Sequence, residues 1–124
     1  MPDIQTEADI QTLVDSFYAK VNADPLLAPI FNEVARVNWE HHLPQLYDFW
    51  SGLLLGTARY RGRPFPKHLP LPIDSSHFQR WLALFSGTVD ELFAGPVAEL
   101  AKLRAHNIGQ VFESRLRAGR LSLL

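Results

Sequence analysis

The residues of this chain best suited to acid–base or metal chemistry are its five histidines, His41, His42, His68, His77 and His106. No pair has the HExxH spacing of a zinc hydrolase, and no Asp/Glu cluster accompanies them as a carboxylate metal site would require. Cysteine is absent, which excludes disulfides, thiolate nucleophiles and thiolate ligands together. No serine stands in a G-x-S-x-G turn, so a nucleophile elbow has no support either. Two imidazoles then stand out: His42 on the apolar face of a helix, and His68 in a proline-rich stretch. Tyr18, Phe31, Phe49, Trp50, Phe78 and Trp81 surround them in sequence. An apolar, aromatic slot with one or two neutral imidazoles suits a planar iron porphyrin. The same aromatic stripe at helical spacing is also what any helix buries in a core, so composition alone leaves both readings open.

Helices must position these groups. Leu13, Val14, Phe17, Tyr18 and Val21 follow Ile10 at i+3, i+4, i+7, i+8 and i+11, one face of a helix that Asp24-Pro25 ends. A short helical turn is expected through Leu26, Leu27, Ile30 and Phe31. Asn38 is a plausible N-cap for a second helix with His42, Leu46, Phe49, Trp50 and Leu53 inward and Gly56 as its stop. Pro44 removes a backbone donor in its second turn, which predicts that the regular part begins near His42 or that the first turn is distorted. Residues 57–75 carry Gly62, Pro64, Pro66, Pro70 and Pro72, so a loop is expected there with at most one helical turn around His68. Asp74-Ser75-Ser76 offers N-caps for a third helix that repeats Phe78, Trp81, Leu82, Phe85, Val89, Leu92 and Phe93. After Gly95-Pro96, a last helix from about Val97 shows Leu100, Ala101, Ile108, Val111 and Phe112. Four main helices and a long excursion between the second and third make an all-α chain, read as one domain over residues 1–124.

The formal net charge of -1, from twelve basic and thirteen acidic residues, gives no electrostatic argument for nucleic acid or a membrane surface. The longest apolar run, Leu53-Leu54-Leu55, is far short of the roughly 20 residues a span needs. Met1-Pro-Asp-Ile lacks a charged-then-apolar leader, and a cytoplasmic location is expected.

One ordered set of motifs goes further. Phe17-Tyr18-Ala-Lys20-Val21 precedes Asp24-Pro25-Leu26-Leu27-Ala-Pro29-Ile30-Phe31. Trp39-x-x-His42, Phe49-Trp50-x-x-Leu53-Leu54 and Tyr60-x-Gly62-x-Pro64 follow. Pro66-Lys67-His68-Leu69 and His77-Phe78-x-x-Trp81-Leu82-x-Leu84-Phe85 complete the set. In this order the chain resembles the third group of truncated haemoglobins from about residue 10 to 112, and it lacks the glycine pairs that mark the other two groups. The resemblance implies a truncated globin-like helical sandwich enclosing haem b, held without thioether bonds because cysteine is missing. It implies His68 as the proximal iron ligand, with Tyr18, His42 and Trp81 on the distal side beside a bound diatomic ligand. Phe31, Leu46, Phe49 and Trp81 match positions that contact haem, and Trp50 matches a more structural aromatic. Lys67, Arg63 and Tyr60 are candidate propionate partners; for the two basic residues the alternative is a solvated charge. His41 could replace His42 only if the helix rotated by about 100°, which would expose Leu46. His77 is expected to be a first-turn surface residue, with iron ligation as its alternative.

Three functions fit. A haem globin would bind dioxygen, nitric oxide or another small ligand for transport, storage or sensing. A haem enzyme would oxidise nitric oxide or reduce peroxide, and would need a reductase that the sequence does not name. A helical interaction domain would carry no cofactor. The nearest acidic residue after His68 is Asp74, so no local carboxylate is visible to strengthen the imidazole as a peroxidase would require.

Overall fold

A computed structural model describes residues 1–59 and 73–117, with side chains to 115. Helix α1 (Glu7–Ala23) starts where Thr6 and Asp9 form a reciprocal capping box and buries Ile10, Leu13, Val14, Phe17, Tyr18 and Val21, the face its periodicity predicts. Asp24 ends it in an extended conformation and receives the amides of Leu26 and Leu27 on its carboxylate.

The short helical turn expected through Leu26 to Phe31 is present, with the Ala28 amide donating to the Asp24 carbonyl at 2.9 Å and the Phe31 amide to the Leu27 carbonyl at 3.2 Å, and it runs on into a turn wider than an α-turn. Ile30–Val34 is π-helical, closed by the Ala35 amide donating to the Ile30 carbonyl at 2.9 Å. Such turns are rare and short; this one turns Ile30 and Phe31 inward and leaves Val34 exposed. Arg36 follows with φ +52°, a left-handed conformation that lets the chain reverse toward the next helix.

Helix α2 (Trp39–Leu55) begins at Trp39, not near His42. Asn38 caps it, and the His42 amide donates to the Asn38 carbonyl at 2.8 Å. Pro44 lies inside the helix and forgoes only the bond its amide would have made to Glu40, so the helix runs through it. Gly56, at φ +78°, terminates α2 in the left-handed geometry where glycine avoids a Cβ clash.

Helix α3 (Ser75–Leu92) is capped by Asp74, whose carboxylate receives the Ser76 amide while its own amide donates to His77 Nδ1 at 3.0 Å. Helix α4 (Pro96–Arg117) opens with proline, which suits a first turn where no intrahelical donor is needed. Its capping group comes from the far end of the chain: the Asp3 carboxylate receives the amides of Val97 and Ala98 at 2.9 and 2.8 Å. The inward face of α4 is mostly small, with Ala98, Ala101, Ala105 and Phe112 buried; Val111 faces outward instead of joining it.

The helices form two pairs, α1 with α2 and α3 with α4, joined through α1–α3 and α2–α4 contacts. Between them lies an aromatic core. Phe17 meets Tyr18, Trp81 and Phe85 edge-on at 4.7, 5.6 and 5.1 Å, and Trp50 stacks on Phe85 at 4.7 Å. Both edge-on and offset-stacked arrangements suit the ring quadrupole. Among the described residues no helix is long and apolar enough to cross a membrane.

Candidate functional site

Tyr18 occupies the inward face of α1 and is 2% exposed. Its ring lies 6.0 Å from Phe31 and 5.3 Å from Trp39. Trp39 stacks on Phe31 at 5.8 Å and meets the His42 ring edge-on at 5.8 Å. One turn of α2 thus links the π-helical turn to His42. From the other side, α3 presents Trp81, which is 2% exposed.

The polar atoms of this cluster are unusual for a protein interior. His42 Nε2 and Trp81 Nε1 are both buried and neither meets an acceptor or donor in hydrogen-bond geometry. The Trp81 indole nevertheless faces the Tyr18 hydroxyl closely enough to favour its ionised form. Burial acts more strongly and pushes the Tyr18 phenol far above its ordinary value, so it stays a neutral donor. Burial lowers the His42 pKa, and the neighbouring His41 lowers it further, so the neutral imidazole is favoured. Leaving a buried donor unsatisfied costs about 1–3 kcal/mol. Two such atoms, one of them facing the Tyr18 hydroxyl, within an aromatic cluster form a wall suited to a small polar guest.

The structure therefore brings together Tyr18, Phe31, His42 and Trp81 of the residues singled out by sequence. Leu46 and Phe49 are buried on α2. His68, Lys67, Tyr60 and Arg63 lie outside the described residues. The other histidines are engaged elsewhere: His41 with Gln45, His106 with Gln110, and His77 in the cap of α3. Among the described residues no group of three or more His, Asp or Glu side chains could hold a metal ion.

Sequence reasoning used Trp39 only as part of the Trp39-x-x-His42 motif and gave it no role in the site. Its i, i+3 relation to His42 was the available signal, since that spacing places both on one helix face. What holds Trp39 was not legible: its indole N–H donates to Asn32 Oδ1 at 2.8 Å, and the Asn32 amide donates to Asn22 Oδ1 at 2.8 Å and to the Ala28 carbonyl at 3.1 Å. Arg80 was passed over. It donates to the buried Asp24 carboxylate at 2.6 Å and so ties the residue before Trp81 to the end of α1.

Comparison with known proteins identifies the family of this fold. Residues 3–109 match the profile of the bacterial-like globin family. The chain is 33% identical over 114 residues to a group 3 truncated haemoglobin of Campylobacter jejuni, covering 89% of this chain and 90% of that protein. It is 30% identical to a group 1 truncated haemoglobin of Tetrahymena thermophila, covering 81% and 83%. It is 31% identical to a group 2 truncated haemoglobin of Bacillus subtilis, covering 67% and 64%. The crystal structure of a group III truncated haemoglobin from Campylobacter jejuni superposes with a TM-score of 0.81 at 32% identity, covering 94% of this chain and 95% of the other. With helices, motif order and both comparisons in agreement, the chain belongs to the bacterial-like globin family and, within it, to the third group of truncated haemoglobins.

Proposed function

We propose that this globin binds haem b, with His68 as the iron ligand, and holds a small diatomic ligand on the side carrying Tyr18, His42 and Trp81. The observation that carries the reading is the pair of buried, unpartnered ring nitrogens, His42 Nε2 and Trp81 Nε1, within an otherwise aromatic cluster. These residues fit the group: the apolar rings suit a porphyrin face, and the orphaned polar atoms suit a ligand bound above it. Phe31, Leu46, Phe49 and Trp81 would contact the ring, and Lys67, Arg63 and Tyr60 are the candidates for its propionates. Haem, when bound, supplies an iron centre with an open coordination position for dioxygen, nitric oxide or a similar ligand.

The chain's own contribution is donor placement. Tyr18 and Trp81 each offer one hydrogen-bond donor, and neutral His42 offers either a lone pair or a proton at Nε2, according to tautomer. A hydrogen bond to a partly charged acceptor contributes about 1.5–3 kcal/mol, roughly 10- to 150-fold in affinity. The rings of Phe17, Phe31 and Trp39 keep water from competing for those donors. Ligand binding for transport, storage or sensing is the molecular role that this arrangement supports.

An absorption spectrum of the purified protein tests the reading. The ferrous, deoxygenated protein should show a five-coordinate imidazole haem with one haem per chain. His68→Ala should lose haem or hold it far more weakly, while His77→Ala should keep the parent spectrum. A colourless protein that takes up no added haem would refute it, and so would a parent-like spectrum from the His68→Ala protein.

A further inference from the structure

We propose that small uncharged ligands reach the distal cluster through the groove between α1 and α2, with Trp39, latched by Asn32 and Asn22, as its door. The groove is about 490 Å³, and its walls include Ala19, Asn22, Leu43 and Tyr47. Its remaining lining residues are Asp15, Tyr18 and Trp39. Two of these belong to the distal cluster as well: Tyr18, almost wholly buried, and Trp39, half-buried and in ring contact with Tyr18, Phe31 and His42. The groove and the distal cluster thus share two side chains, of which Trp39 is the one more exposed to solvent.

Trp39 is placed to move. It is the first residue of α2, where the helix lacks intrahelical partners for its leading amides. Pro44 removes the amide that would tie the Glu40 carbonyl to the next turn, so the turn carrying Trp39 and Leu43 is held by fewer bonds than the rest of α2. The polar restraint on the Trp39 indole is its hydrogen bond to Asn32, an exposed contact between neutral groups that is itself braced by Asn22. Exposed side chains exchange rotamers within nanoseconds, so such a latch opens often.

The groove also selects. Among the described residues that line it, Asp15 alone is charged, and its carboxylate receives the Tyr47 hydroxyl. A carboxylate at the approach, with no cation among the described lining residues, disfavours anions and leaves neutral diatomic molecules unhindered.

The proposal takes its purpose from the haem reading, so its test uses one measurement with haem and one without. In the haem-loaded ferrous protein, carbon monoxide association is followed after flash photolysis. Asn32→Ala should speed association several-fold, and Ala19→Phe, which fills the groove from an exposed position, should slow it several-fold; neither should change carbon monoxide dissociation. In the full chain without haem, dissolved dioxygen is paramagnetic and speeds relaxation of the protons it visits. The Tyr18 ring protons and the Trp81 indole proton should feel it, less so in Ala19→Phe and more so in Asn32→Ala. Asp15→Asn should raise azide association to the ferric protein while leaving carbon monoxide association unchanged. Association unaffected by Ala19→Phe but accelerated by His42→Ala would overturn the proposal and put the passage on the His42 side. Dioxygen relaxation that ignores Ala19→Phe would overturn it whether or not the chain takes up haem, whereas failure to take up haem alone would refute only the haem reading.

Discussion

Arg80 Nε and Asp24 Oδ1 meet at 2.6 Å, joining a half-exposed guanidinium to a carboxylate that is 2% exposed. The pair spans 56 residues of sequence and locks the end of α1 to the helix that carries Trp81. The carboxylate also receives the amides of Leu26 and Leu27, so one buried group organises the approach to the π-helical turn and Phe31. Burial alone would raise the Asp24 pKa, but the Arg80 guanidinium and the two amides outweigh it and hold the carboxyl below its ordinary value.

Asp24→Ala should therefore destabilise the fold by about 2–4 kcal/mol, because it orphans two amides and a charged partner together. Asp24→Asn should cost less, since it keeps an acceptor for the amides. With the folded-state pKa lowered from its ordinary value of 3.8, the carboxylate's contribution is complete above that value and is lost as pH falls through the lower, folded-state one. Urea midpoints at neutral and acid pH would show the difference between parent and Asp24→Asn shrinking in acid. A pH-independent difference would mean that ionisation at Asp24 does not contribute.

His42 predicts a pH dependence in the same direction from a different cause. Burial and the neighbouring His41 lower its folded-state pKa below its ordinary value of 6.5. The unfolded chain therefore holds more protons between the two values, so stability is complete above about pH 6.5 and declines as pH falls below it. In the haem-free chain, His42→Phe should flatten that slope. In the haem-loaded protein, His42 should stand beside the bound ligand without ligating the iron. A six-coordinate ferrous spectrum that His42→Ala converts to five-coordinate would assign it the other role.

Tyr18 and Trp81 should jointly set the rate of dioxygen release. Stopped-flow measurement on the parent, Tyr18→Phe, Trp81→Phe and the double variant should show at least one single variant and the double releasing ligand about 10- to 150-fold faster, the range expected for one lost bond to a partly charged acceptor. The two donors face each other, so their effects should not add. Four similar rates would mean that neither donor touches the ligand.

Gly95 is favoured over any other residue for a steric reason. At φ +143° a Cβ there would stand 2.5 Å from Asp3 Cγ, the carboxylate that caps α4. Gly95→Ala should cost about 1–3 kcal/mol through backbone strain and the displaced cap, read as a lower thermal midpoint. Adding Asp3→Ala to Gly95→Ala should produce a smaller further loss than Asp3→Ala produces in the parent, because the cap has already been displaced.

The order and facing of the helices were legible in the sequence because each rests on local spacing. Ile10, Leu13, Val14, Phe17, Tyr18 and Val21 read as one stripe before any neighbour is known, and the structure buries all six. The same holds for Phe78, Trp81, Phe85 and Val89 on α3. Asn38, Gly56 and Asp74 marked ends through side-chain and backbone preferences that act within a few residues. Local reasoning overrated Pro44, which the capped first turn of α2 carries without a break, and did not foresee that the short turn ending near Phe31 widens into a π-helix. What only the tertiary structure decided are contacts between residues far apart in sequence. Asp3 caps a helix more than ninety residues away, Arg80 reaches back to Asp24, and Trp81 comes to face Tyr18. The Trp39 latch spans only seven residues, but it forms because the π-helical turn and the left-handed Arg36 fold the chain back on itself. Periodicity states which way a side chain points from its own helix; which group it meets depends on how the helices pack.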